Sequence, residues 1–218
     1  AASYKGPGVS FGGAPLPFTG PTKDLLVARF SGATGVHVQS TRICYGDCEV
    51  EQLAAGHAGE IYVGGDTESS STLGTKNIVG FKPFMAALTP LDTVAWSHSF
   101  TQTDSNDGIY LPELGVEANG DITFIEPYSS EMNLGFASFQ AVGKKDLLVG
   151  KVHPDGSLVW VRSFGSAGTY LTTHDRSLNV AQSGEMTLLL SLQGTVDFGF
   201  GPLAANGLSD MALVHLGP

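Results

Sequence analysis

The chain has 218 residues, of which only 15% are charged, and its 21 acids against 11 lysines and arginines give a formal charge of −10. Such a balance offers no basic surface to neutralise phosphates, so nucleic acid is not an expected partner, and no apolar run approaches the length of a membrane-spanning helix. Low charge, 29 glycines and short apolar runs between turn residues point instead to an all-β protein.

In chain order, the start Ala1-Ala2-Ser3 has the small residues that a signal peptidase leaves behind, and an exported protein is expected. Next come Phe11-Gly12-Gly13-Ala14-Pro15-Leu16 and Asp24-Leu25-Leu26-Val27, both of which return later. Cys44-Tyr45-Gly46-Asp47-Cys48 holds the two cysteines. Two reduced thiols in a loop are one reading. The other is a disulfide across a tight reversal, since Gly46-Asp47 can take positive backbone angles and the spacing can bring the Cα atoms to disulfide distance. Cys44 is expected to end a strand with core positions Val36, Val38 and Ile43. Cys48 is expected to open the next, through Val50 to Leu53. A metal site would need two more soft ligands, and no second cysteine pair exists.

Four element types recur in one order. Phe11 to Leu16 returns as Phe198-Gly199-Phe200-Gly201-Pro202-Leu203. Asp24-Leu25-Leu26-Val27 returns as Asp146-Leu147-Leu148-Val149 and more loosely as Asp210-Met211-Ala212-Leu213-Val214, with Lys82 to Leu88 as a degenerate copy. From Asp24 to Asp210 is 186 residues, or three periods of 62. Val94-Ala95-Trp96-Ser97-His98-Ser99-Phe100 matches Leu158-Val159-Trp160-Val161-Arg162-Ser163-Phe164, and Gln39 replaces the tryptophan in the first copy. Gly59-Glu60-Ile61-Tyr62-Val63 matches Gly120 to Phe124 and Gly184 to Leu188. Each element is short, rich in Val, Leu, Ile, Phe and Trp, and bounded by Gly, Asp, Asn or Ser, as strands are. One complete unit is expected near 50–56, 60–66, 83–88 and 93–100, and the next near 109–118, 121–126, 146–152 and 157–164. Leu25-Leu26-Val27-Ala28 and Leu188-Leu189-Leu190 are apolar on both sides, as in strands covered on both faces. Stacked four-stranded antiparallel meanders at a fixed period are the blades of a β-propeller. A β-sandwich is the alternative, and it leaves the repeat unexplained.

Residues 146–188, with Asp146-Leu147-Leu148-Val149, Gly156-Ser157-Leu158-Val159-Trp160-Val161-Arg162-Ser163-Phe164-Gly165 and Ser183-Gly184-Glu185-Met186-Thr187-Leu188, resemble the bacterial β-propeller repeat called SBBP. Val196 to Leu203 resembles the strand connection of its myxobacterial members. The resemblance extends from about Val9 to Leu216 and is weakest over 66–92, where Pro83 stands for the aspartate. It implies a propeller fold and an exported or surface-attached protein, and little chemistry. Thirteen strands are counted, a little over three blades: repeats of about 9–70, 71–132 and 133–195 and a partial one over 196–218, in a single repeat domain. A closed propeller has four to eight blades, so self-association or another chain is expected to complete the ring.

Candidate chemistry is sparse. Asp104-Ser105-Asn106-Asp107-Gly108 resembles a calcium loop, but the glycine comes one residue early and no glutamate stands at the twelfth position, so a polar turn is expected. Glu113, Glu117 and Glu126 flank strands and could face a channel. His37, His57, His98, His153, His174 and His215 form no local ligand pair. His174-Asp175 lacks an accompanying Gly-x-Ser-x-Gly elbow. Trp96 and Trp160 fit packing between blades, with sugar stacking the lesser reading, and Gly64-Gly65 is no phosphate loop. No cofactor and no catalytic group is assigned. The expected function is an extracytoplasmic binding or structural module for a protein or carbohydrate ligand. The competing class is a glycoside hydrolase or lyase with carboxylates at a channel mouth.

Overall fold

The computed structural model describes residues 1–18, 20–80, 82–103 and 112–218, with the side chains of 174–176 excepted. The described residues are all-β, with no helix. The chain divides at Ser97/His98 into two compact units.

The first unit contains β1 (Ala2–Tyr4), β2 (Asp24–Phe30), β3 (His37–Tyr45), β4 (Cys48–Ala55), β5 (Ile61–Thr67), β6 (Ser71–Leu73), β7 (Lys76–Ile78), β8 (Lys82–Leu88) and most of β9 (Val94–Ser99). One sheet has the order β1-β2-β3-β6-β7 and a second the order β4-β5-β8-β9. Leu25, Val27 and Ile43 of the first sheet share a core with Ile61, Val63, Phe84 and Leu88 of the second. On the other face of β2, Leu26 packs against Tyr4 and Leu16, with Val9 and Phe18 beside them. Both faces of β2 are therefore covered, as its continuous apolar run requires.

The second unit continues with β10 (Thr101–Gln102), β11 (Glu113–Val116), β12 (Ile122–Tyr128), β13 (Glu131–Asn133), β14 (Ser138–Gln140), β15 (Asp146–Val152) and β16 (Leu158–Phe164). It ends with β17 (Tyr170–Val180), β18 (Met186–Gln193), β19 (Thr195–Asp197), β20 (Pro202–Ala204) and β21 (Asp210–Leu216). The order β11-β12-β15-β16 makes a four-stranded meander, and β17-β18-β21 makes a three-stranded one. Ile125, Leu147 and Val149 of the former pack on Leu171, Met186, Leu188, Leu190, Ala212 and Val214 of the latter.

The two four-stranded sheets lie where the repeat predicts strands, with bounds within a few residues. The turns carry the predicted chemistry: Gly59, Gly120, Gly156 and Gly184 all have positive φ. Close approach fixes another glycine, because a Cβ at Gly150 would strike the Phe124 ring from the adjacent strand. The chain differs from the plain meander in one respect. A short hairpin stands between the second and third strands of each of three meanders, β4-β5-β8-β9, β11-β12-β15-β16 and β17-β18-β21: β6-β7, β13-β14 and β19-β20. These six strands, with β1 and β10, bring the described total to twenty-one rather than thirteen. The Phe198 to Leu203 segment is the turn and second arm of the last hairpin.

Cys44 and Cys48 form a disulfide, Cα atoms 6.3 Å apart, across a reversal in which Gly46 and Asp47 have φ of 84° and 53°. Both cysteines are fully buried. The strand before them is not buried as expected. Ile43 is in the core, but Val36 and Val38 are each 63% exposed, and Leu53 on β4 is exposed too. The side chains that cover this sheet come from β4, β5 and β8 and reach only the Ile43 end of β3.

Candidate functional site

The repeated aspartates are structural. Asp146 accepts hydrogen bonds from the Val142 and Gly143 amides, at 2.8 and 3.0 Å, and closes the turn before β15. Burial nonetheless raises its carboxyl above the ordinary range, against the lowering effect of those two donors. Asp210 accepts from the Asn206 amide, 2.7 Å away, in the same way. Asp24 accepts from the Gly46 amide at 2.9 Å and from Arg42 at 2.8 Å.

Glu113, Glu117 and Glu126 are buried rather than set in an open mouth. Glu117 Oε1 accepts from Lys151 Nζ (2.8 Å) and Thr123 Oγ1 (2.9 Å), a satisfied internal ion pair. Glu113 Oε2 accepts from the Leu178 amide at 2.9 Å. Glu126 is fully buried, and neither of its oxygens meets a hydrogen-bond partner. Burial, and behind it the negative charge of Glu113, pushes its carboxyl well above the ordinary range, while Lys145 pulls it down. In the first unit, Asp66 Oδ1 is also buried without a partner. Burial, followed by Glu68 and Glu51, raises that carboxyl to about 6.

The histidines are dispersed. His37 bonds Ser40 (2.7 Å), His98 Nε2 lies 2.9 Å from the Gly156 carbonyl, His153 pairs with Asp121 (2.9 Å) and His215 meets Thr187 (3.2 Å). Among the described residues no three His, Cys, Asp or Glu side chains gather as a metal site. The loop Asp104 to Gly108 and the side chains of His174 and Asp175 lie outside the described residues. Trp160 packs half-buried against the core of the second unit, and Trp96 lies 6.3 Å from Tyr62 in a tilted aromatic pair.

The open surface features lie along β21 instead. Strand β21 pairs with β18 on one side and with no described strand on the other. Two grooves run along it and meet at Phe198. One, of about 480 Å³, is lined by Trp160, Arg162, Phe164, Met186 and Leu216. The other, of about 420 Å³, is lined by Phe200, Leu203, Leu213 and His215. Met211 and Leu213 stand exposed on the outer face. The sequence marks several of these residues as repeat elements but not as a site. The signal for them is the equivalence of Asp210–Val214 to Asp146–Gly150.

No protein-family model and no curated protein matches the chain. Among the described residues, no helix is long and apolar enough to cross a membrane.

Proposed function

We propose that the chain is an extracytoplasmic binding or structural module whose sheets are blades of the β-propeller type, built on the SBBP-like repeat that residues 146–188 resemble. Its ligand is a protein or a carbohydrate, and its assembly is completed by self-association or by another chain. The observation that carries this reading is the site itself: the open grooves are lined mainly by apolar and aromatic side chains, which suits recognition by contact area. Two of the buried acids meanwhile have structural roles, Asp146 in a turn and Glu117 in an ion pair. The disulfide supports an oxidising compartment.

A second reading, a carbohydrate-active enzyme, draws on Glu126. A carboxyl raised by burial and by a second acid beside it is the kind of group that serves as a general acid. Incubation with a panel of polysaccharides separates the two. The module retains a ligand without releasing reducing ends. Catalytic release that Glu126→Gln abolishes would overturn the module reading.

A further inference from the structure

Two asparagines are followed by glycine, in Asn119-Gly120 and Asn206-Gly207. A glycine in that place has no Cβ to keep its backbone nitrogen from the side-chain carbonyl carbon before it. Both asparagines are exposed, and hydrogen bonding separates them. In the turn between β11 and β12, Asn119 Nδ2 donates to Asp121 Oδ2 at 2.8 Å and Asn119 Oδ1 accepts from the Asp121 amide at 3.0 Å. The Gly120 amide donates to the Glu117 carbonyl at 2.9 Å. The side chain and the nitrogen that would attack it are both tied. In the loop between β20 and β21, the Asn206 amide donates to Asp210 Oδ2 at 2.7 Å. Among the described residues, neither the Asn206 side chain nor the Gly207 amide has a hydrogen-bond partner. Gly207 has a φ of 104°, and a Cβ there would meet nothing within 4 Å.

The corresponding loop before β15 is built more tightly. Asp146 follows Val142 by four residues, as Asp210 follows Asn206, but it holds both the Val142 and the Gly143 amides, at 2.8 and 3.0 Å. Asp210 holds only the first of the pair. Val142 is 67% exposed, so a loop at this place is open to water in a four-stranded sheet as well. We propose that Asn206-Gly207 is a self-modification site, at which the folded chain exchanges the side-chain amide for a carboxylate while Asn119-Gly120 is spared.

The only co-reactant is water. The Gly207 nitrogen gives its proton to solvent base and attacks Asn206 Cγ. A Cγ–N bond forms, the Cγ–Nδ2 bond breaks, and Nδ2 takes up a proton and leaves as ammonia, closing a five-membered succinimide. Water then adds to one of the two ring carbonyl carbons. Its hydroxyl stays on carbon, and its other proton goes to the Gly207 nitrogen as that carbon–nitrogen bond breaks. Opening at Cγ leaves aspartate. Opening at the main-chain carbon leaves isoaspartate, which lengthens the loop by one backbone atom. Either product sets a carboxylate beside Asp210, whose own carboxylate holds the Asn206 amide. Like charges at that range disfavour each other. The conversion therefore releases the turn and frays the start of β21, where Asp210 pairs with Leu192.

The intact chain is aged in mildly alkaline, amine-free buffer beside the same chain in denaturant, and both asparagine peptides are followed by mass spectrometry and ammonia release. Each folded-state rate is divided by the denatured rate at the same site, which removes the local sequence effect. At Asn206 the two rates are expected to agree within about threefold, while at Asn119, whose bonds must open first, folding slows conversion at least about tenfold. Asn206→Gln should end conversion in its peptide with an unchanged circular dichroism spectrum. In the aged fraction, the amides of 206, 210 and 211 should exchange hydrogen at least about tenfold faster than in the fresh chain. Slowing at Asn206 as large as at Asn119, or no slowing at either, would overturn the assignment of the site. Unchanged exchange in the aged fraction would overturn the release of the turn.

Discussion

The sheet β11-β12-β15-β16 and the sheet β17-β18-β21 are built on one pattern and differ in what covers them. Leu147 and Val149 of β15 are 0% exposed, while Met211 and Leu213, at the matching places on β21, are 79% and 73% exposed. Chain chemistry is nearly the same at both, so burial here is set by the presence of a neighbouring sheet and a fourth strand, not by side-chain type. The comparison also isolates Glu126. Its counterpart by register is Leu190, which sits in the apolar core.

The sharpest way to break the comparison is to truncate the paired positions. Leu147→Ala is expected to cost about 2–5 kcal/mol by denaturant unfolding, because it opens a cavity in a closed core. Met211→Ala should stay within about 0.5 kcal/mol of wild type. Equal effects would mean that β21 is covered after all.

Replacing both cysteines by alanine should cost about 2 kcal/mol, the chain-entropy value for so short a loop. The effect is read as the difference between the variant and the oxidised wild type, and reductant should abolish it. Titration of the denatured, unreduced protein should find no free thiol.

Glu126→Leu sharpens the comparison by installing the residue that β18 carries at this register into β12. It is expected to stabilise by about 1–3 kcal/mol at neutral pH, since it removes a buried carboxyl without partners. Glu126 is raised in the folded state, so its ionisation penalises folding as pH rises above the ordinary Glu range. Wild-type stability should fall over that rise, and in the variant that contribution should vanish.

Asp66→Asn is expected to change stability less than Glu126→Leu. Burial pushes the folded carboxyl up from the ordinary value of 3.8 to about 6. The native state therefore binds more protons between those values, and stability from this group declines from about pH 4 to about pH 6. The variant should flatten that decline and gain about 1 kcal/mol at pH 7, as measured by unfolding at both ends of the window.

Much of this was legible in the residues. Long apolar runs bounded by Gly and Asp marked β5, β8, β12 and β15, and the glycine spacing in Gly59, Gly120 and Gly184 located the turns. Cys44-x-x-x-Cys48 around Gly46-Asp47 marked the bridge. The inserted hairpins were not legible. Strands of three residues such as Lys76–Ile78 are too short for a period of two to register. Val36 and Val38 misled because a β-branched pair reads as core whether or not anything packs on it. Glu126 looked like a strand-end acid, and only the pairing of β12 between β11 and β15 shows why it is enclosed.

Hydrogen exchange of the chain alone tests the central claim, that β21 repeats the register of β15 while pairing on one side only among the described strands. Amides throughout 146–152 should exchange only through global opening, whereas alternate amides of 210–216, those turned away from β18, should exchange orders of magnitude faster. Uniform slow exchange along β21 in the dilute chain would contradict the account.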